Sequence, residues 1–143
     1  MEKKLIMKVH VKINPQDISV LNGKAGDVVM IPFSGTVEGE IFNGVVRPGG
    51  VDVQRTNLSK IRHMCARYML EGTDNTGAPC KIFVDNNGWF DDELPPSEGG
   101  FKTVPTFLTD SEALAPYLHS NKFIGIGTPE GTGVLISLYE VIE

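Results

Sequence analysis

At 143 residues, 41% hydrophobic and 22% charged, the chain is sized for one domain, residues 1–143, and lies outside the composition of disordered proteins. A formal net charge of -5, with lysines and arginines scattered along the sequence, leaves no basic footprint for nucleic acid. The start, Met1 to Lys8, holds an apolar run of only three residues before a lysine, too short for a signal peptide or a membrane span, so the expected place is the cytoplasm with no membrane partner.

In chain order, Met7, Val9, Val11 and Ile13 alternate with Lys8, His10 and Lys12, the period of a strand with one apolar face. The same reading predicts strands over 27–34, 40–46, 51–56, 63–72, 81–86, 101–109, 122–127 and 133–142. The turn segments between them, Asn22-Gly23-Lys24-Ala25-Gly26, Pro48-Gly49-Gly50, Asn75-Thr76-Gly77 and 129–133, supply residues that tolerate positive φ. Short connections favour antiparallel pairing. A hairpin around Pro48-Gly49 places Asn43, Val45, Asp52 and Gln54 on one face, with Phe42, Val46, Val51 and Val53 on the other.

If Thr73 and Ala78 flank the turn Asp74-Asn75-Thr76-Gly77, Cys65 opposes Asn86 and Arg67 opposes Val84. One face then reads Cys65, Arg67, Met69, Ile82, Val84 and Asn86. Cys80 falls about 20 Å from Cys65 along the strand, so two free thiols are expected rather than a disulfide. The stretch 87–100, with Trp89, Phe90, three acids before Pro95 and Pro96, predicts a long irregular loop acting as a flap. Thr109-Asp110-Ser111-Glu112 has capping-box spacing ahead of one short helix that buries Ala113, Leu114 and Leu118. In the last strand both Leu135, Tyr139, Val141 and Val134, Ile136, Leu138 are apolar, which points to a homo-oligomer covering the outer face. The fold class is all-β: a closed antiparallel β-barrel of about eight to nine strands with one short helix, closure removing the exposed edges of an open sheet.

Arg67 among Met69, Ile82 and Val84 is costly to bury without a partner, and Asp52 is the obvious one. The plainer alternative leaves Asp52 and Gln54 facing water on an amphipathic strand. His10, His63 and His119 fall in separate segments without metal-ligand spacing, so no metal site is expected. His63 at a strand start reads as solvated, and Cys65 beside Arg67 as a structural thiol, since no base accompanies it. Gly125, Gly127, Gly131 and Gly133 precede a strand rather than a helix, which suits a hairpin and not a phosphate cradle. No Gly-x-Ser-x-Gly elbow is present.

Taken in order, Gly44, Pro48-Gly49-Gly50, Asp52, Arg67, Asn86, Gly88, Thr103, Pro105 and Gly125-Ile126-Gly127 make the chain resemble the domain of unknown function 3237 family, the UPF 0311 group, over residues 10–142. That resemblance implies a small β-barrel with a polar patch inside or at its mouth, and no inherited reaction. In the family's pattern an acid follows the glycine pair and another precedes Ala-Arg-Tyr. Carried over, the first is Asp52, while Cys65 stands where the second would fall, and Val53 replaces a bulky aromatic. The function expected is binding of a small anionic or hydroxyl-rich organic ligand by Asp52, Gln54, Arg67 and Asn86, without a cofactor. Two alternatives stand beside it: a cofactor-free lyase or isomerase in which Asp52 moves a proton and Arg67 stabilises an oxyanion, and a structural protein in which the two form a buried pair.

Overall fold

The computed structural model describes residues 2–94 and 99–142. Their strands are β1 (Glu2–Ile13), β2 (Ser19–Gly23), β3 (Gly26–Gly39), β4 (Phe42–Val46), β5 (Val51–Thr56), β6 (Ile61–Asp74), β7 (Pro79–Asp91), β8 (Phe101–Thr109), β9 (Phe123–Glu130) and β10 (Gly133–Ile142). A 3-10 turn at Pro15–Asp17 and helix α1 (Ala115–Leu118) complete them. The strands are antiparallel in the order β1-β10-β9-β8-β7-β6-β4-β3-β2, and a direct β1–β3 ladder closes the ring. Because β4 and β5 occupy one slot between β3 and β6, the wall has eight staves, the predicted all-β barrel. In the interior Ile6, Met7, Val9, Phe42, Leu70, Ile82, Val84 and Leu138 are essentially fully buried.

The shared slot corrects the hairpin expected at Pro48-Gly49. Val46 opposes Leu70 and the Arg47 N–H donates to the Met69 carbonyl at 2.8 Å, yet Val51 opposes Arg67. Pro48, Gly49 and Gly50 therefore all face the single residue Tyr68, so the chain bulges and then continues in the same direction. Gly49 takes φ +105°, which L side chains rarely adopt. The surplus is even, so the in-and-out alternation survives: Phe42 and Val46 share the inner face with Asp52 and Gln54, rather than opposing them.

A second correction concerns the register of β6 and β7. The Asp74 N–H donates to the Ala78 carbonyl and the Gly77 N–H to the Asp74 carbonyl, both at 3.0 Å, with Gly77 at φ +86°. The connection is thus a three-residue loop ending in a left-handed glycine, one residue shorter than the four-residue turn expected. Cys65 opposes Asn87 and Arg67 opposes Asp85, so every β6 side chain changes face relative to β7. Met64, Ala66, Tyr68 and Leu70 turn inward with Ile82, Val84 and Asn86, and Arg67 points out.

The predicted loop at 87–100 is also shorter, because residues 87–91 continue β7 against Ile61–Cys65. Of the remainder, Pro95, Pro96, Ser97 and Glu98 lie outside the described residues. Strand β2, absent from the periodicity reading, forms a hairpin with the start of β3 through Lys24-Ala25, exposed along its whole length.

One barrel end is plugged. Leu114 and Leu118 are buried there, and Phe107 and Tyr117 each meet Phe123 edge to face at 5.3 Å. The expected cap at Thr109 is not used: the N-cap of α1 is Leu114, without a side-chain cap, and Ser111 braces the turn before it, its hydroxyl oxygen accepting from the Leu114 N–H at 3.1 Å and its proton going to Asp74 Oδ2 at 2.7 Å. Ala113, expected inside, is exposed.

Candidate functional site at the polar end of the barrel

At the end away from α1, the alternation of β5, β6, β7 and β8 turns polar side chains inward. Asp52 and Gln54 come from β5, Arg62 and Tyr68 from β6, Asn86 from β7 and Thr103 from β8. Asp52, Tyr68 and Asn86 line a cavity of ≈ 50 Å³ whose other walls include Ile13, Phe33, Phe101 and Val134. The glycines of Gly125-Ile126-Gly127 make this end possible by close approach: a Cβ on Gly125 would collide with Thr103 Oγ1, and one on Gly127 with the Phe101 ring.

A chain of polar contacts crosses the floor. Gln54 Nε2 donates to Asp52 Oδ2 at 2.8 Å, Arg62 Nη1 donates to Gln54 Oε1 at 3.2 Å, and Arg62 Nη2 lies 3.2 Å from Asp92 Oδ1. The Arg62 guanidinium also sits 5.4 Å above the centre of the Phe90 ring. Five buried atoms inside are left without a protein partner: the oxygens Asp52 Oδ1, Tyr68 Oη, Asn86 Oδ1 and Thr103 Oγ1, and the nitrogen Arg62 Nε. Buried polar atoms are normally satisfied, and a cavity of ≈ 50 Å³ exceeds the about 10–15 Å³ that one water needs, so Asp52, Tyr68 and Asn86, which line it, have room for solvent or a small ligand group.

Burial pushes the Asp52 carboxyl above its ordinary range, with the Gln54 hydrogen bond and the Arg62 charge pulling the other way. Tyr68 is driven upward too, by burial first and by the Asp52 charge second, so its hydroxyl stays protonated. The arrangement is a carboxyl group biased toward holding its proton, beside a neutral phenol and two neutral oxygen-bearing side chains. Such a set can hydrogen-bond hydroxyl groups and can take up or release a proton at Asp52.

Of the residues singled out from sequence, Asp52, Gln54 and Asn86 come together and Arg67 does not. Its guanidinium lies on the outer face, Nε 3.5 Å from Asp85 Oδ2, with the side chain 65% exposed, so the expected Asp52–Arg67 pair does not form. The cation at the inner site is Arg62, which only the corrected register brings in. The same register brings Tyr68 onto the inner face with Asn86. Cys65, at the position of the family's second acid, also faces outward; burial and the neighbouring Asp85 raise its thiol, the opposite of nucleophile activation. Both cysteines are free, and Cys80 opposes Gly72, far from Cys65. Among the described residues, no group of three or more histidine, cysteine or acidic side chains is arranged to hold a metal ion, and no helix is long and apolar enough to cross a membrane.

The family described as "Protein of unknown function (DUF3237)" matches residues 2–141 of the chain. A UPF0311 protein of Clostridium acetobutylicum is 30% identical over 125 residues, 78% of this chain and 76% of that protein. A crystal structure of a protein with unknown function from the same organism superimposes with a TM-score of 0.79 at 24% identity, covering 99% of this chain and 100% of the other. A β-barrel-like protein from Acinetobacter baumannii gives 0.74 at 22% identity, with 98% and 96% covered. An enzyme from Penicillium herquei gives 0.65 at 16% identity, with 99% and 94% covered. These three structural likenesses speak for the fold.

Proposed function

The chain belongs to the DUF3237 family of proteins of unknown function, and from that premise we propose that it is a small-molecule-binding barrel whose polar end takes a hydroxyl-bearing organic ligand. One observation carries the reading: unpartnered oxygens of Asp52, Tyr68 and Asn86 converge on an otherwise apolar cavity. All four orphaned oxygens can accept hydrogen bonds, and Asp52 adds negative charge when ionised, so hydroxyl groups suit them better than an anion. Arg67 has no part in it.

Native mass spectrometry of protein taken from its own cell extract, compared with denatured protein, tests this. The expected result is a co-purifying hydroxylated molecule lost on Asp52→Asn or Tyr68→Phe. A barrel that never carries or takes up such a molecule, across a panel of polyols and phenols, would leave the structural reading standing instead.

The raised Asp52 carboxyl favours a second reading, a cofactor-free lyase or isomerase in which Asp52 relays a proton. Chemical change of the captured molecule on incubation with the wild type, absent with Asp52→Asn, separates catalyst from carrier. A cytoplasmic place accords with two free thiols. A homo-oligomer accords with the exposed outer row in which Met69 opposes Phe83 and Phe83 opposes Leu108, the last 63% exposed. Sedimentation of a monomer at tens of micromolar would remove that claim.

A further inference from the structure

On the outside of the same wall, four strands bring one residue each into a single row: Val28 of β3 opposes Arg55 of β5, Arg55 opposes His63 of β6, and His63 opposes Trp89 of β7. At about 4.8 Å per strand the row is about 14 Å long. It forms part of an open cleft of ≈ 440 Å³, within the size range of ligand pockets and far larger than the interior cavity.

The row is held rigidly from one side. Asp85 Oδ1 accepts from Asn87 Nδ2 at 2.7 Å, which turns the Asn87 amide oxygen toward His63 at 2.9 Å. Arg55 Nη2 lies 3.2 Å from His63 Nδ1, and a guanidinium has only protons to offer. His63 Nδ1 is therefore placed to accept and Nε2–H to donate to Asn87, so the ring is oriented from both sides. The His63 ring in turn stacks on Trp89, 4.7 Å between centres and 16° between planes, although Trp89 is 63% exposed.

Arg55 differs from the other three arginines. Arg47, Arg62 and Arg67 each meet a carboxylate, of Glu71, Asp92 and Asp85 respectively; among the described residues Arg55 meets none and contacts His63 instead. Asp27, which also borders the cleft, opposes Thr56, so strand alternation sends it to the inner side while Val28 and Arg55 face out. The outward row thus offers a preset cation next to an exposed two-ring aromatic shelf.

We propose that this cleft is a second binding site, separate from the interior one, for a planar aromatic molecule carrying a carboxylate: the ring on the Trp89 shelf, the carboxylate on the free edge of the Arg55 guanidinium. Trp89 is the sole tryptophan, so its indole N–H resonance in ¹⁵N-labelled full-length protein reports the site directly. Titration with 2-naphthoate is expected to shift that resonance saturably, with affinity at least tenfold above that for neutral 2-naphthamide. Arg55→Gln should abolish the preference for the acid, Arg55→Lys should keep part of it, and Asp52→Asn should leave both affinities unchanged. Equal affinity for acid and amide, an undiminished preference in Arg55→Gln that melts like the wild type, or loss of binding on Asp52→Asn would each overturn the proposal.

Discussion

The two ends of the barrel each turn an aspartate inward, Asp74 buried and Asp52 partly so, and the two are treated oppositely. At the plugged end Asp74 is saturated: its Oδ1 accepts from the Thr76 N–H, the Thr76 hydroxyl and the Ala78 N–H, and its Oδ2 accepts from the Ser111 hydroxyl. These bonds, the Thr76 hydroxyl foremost and Ser111 next, lower its pKa to about 2. At the polar end Asp52 has one protein partner, Gln54, and an orphaned oxygen, and burial raises its pKa. A fully satisfied buried acid ties a turn, the approach to α1 and two strands together; a half-satisfied one costs stability and keeps hydrogen-bonding capacity in reserve.

The largest effect that can break this contrast is in the plug itself. Leu118→Ala removes a fully buried side chain from the closed end and should cost about 2–5 kcal/mol, read from urea midpoints. A loss below about 1 kcal/mol would mean that α1 does not seal the barrel.

Next come the two acids, whose signs differ with pH. Asp74 has a folded-state pKa of about 2 against an ordinary 3.8, so its contribution is complete above about pH 4 and fades as pH falls toward 2. Asp74→Asn should be less stable than the wild type at neutral pH, the difference shrinking across that window. Asp52 is shifted upward, so it favours the fold below its ordinary 3.8 and loses that contribution as pH rises through its higher folded value. Asp52→Asn should therefore be neutral or stabilising by about 1 kcal/mol at pH 7, while losing interior ligand. Urea midpoints collected from pH 2 to 8 for both variants check the pair; a fall in neutral-pH stability for Asp52→Asn would end the contrast.

The smallest effect concerns the outer face. Arg67→Met removes an exposed ion pair and should change stability by no more than about 0.5 kcal/mol. Since Arg67 and Asp52 stand on opposite sides of the wall, adding Asp52→Leu should give additive changes in a double-mutant cycle. Coupling above about 1 kcal/mol would place Arg67 back beside Asp52, against the observed register.

Much of the fold was legible because alternation reports strands wherever one apolar face is buried, as in β1. Asp52 and Asn86 were legible through the family pattern, not through alternation. What alternation does not report is which of two faces of neighbouring strands coincide, since that turns on the exact length of each connection. Gly77 accommodates a three-residue loop as readily as a four-residue turn, and that one residue decided whether Arg67 or Tyr68 looked inward. The slot shared by β4 and β5 was hidden by Pro48-Gly49-Gly50, whose composition is that of a reversal although the chain does not reverse. Strand β2 escaped because both its faces are exposed and no apolar period marks it.

The bulge opposite Tyr68 makes the interior chemistry a matter of parity. Deleting Gly49 alone would rotate the rest of that stave by half a turn, bringing Val51 and Val53 into the lumen and sending Asp52 and Gln54 out to solvent, whereas deleting Gly49 and Gly50 together would leave the lumen's lining as it is. Length variation at this spot therefore acts in steps: an odd change swaps a hydrophilic lumen for a greasy one at a stroke, and an even change is silent, so related barrels that differ here by a single residue would house different chemistry on the same backbone.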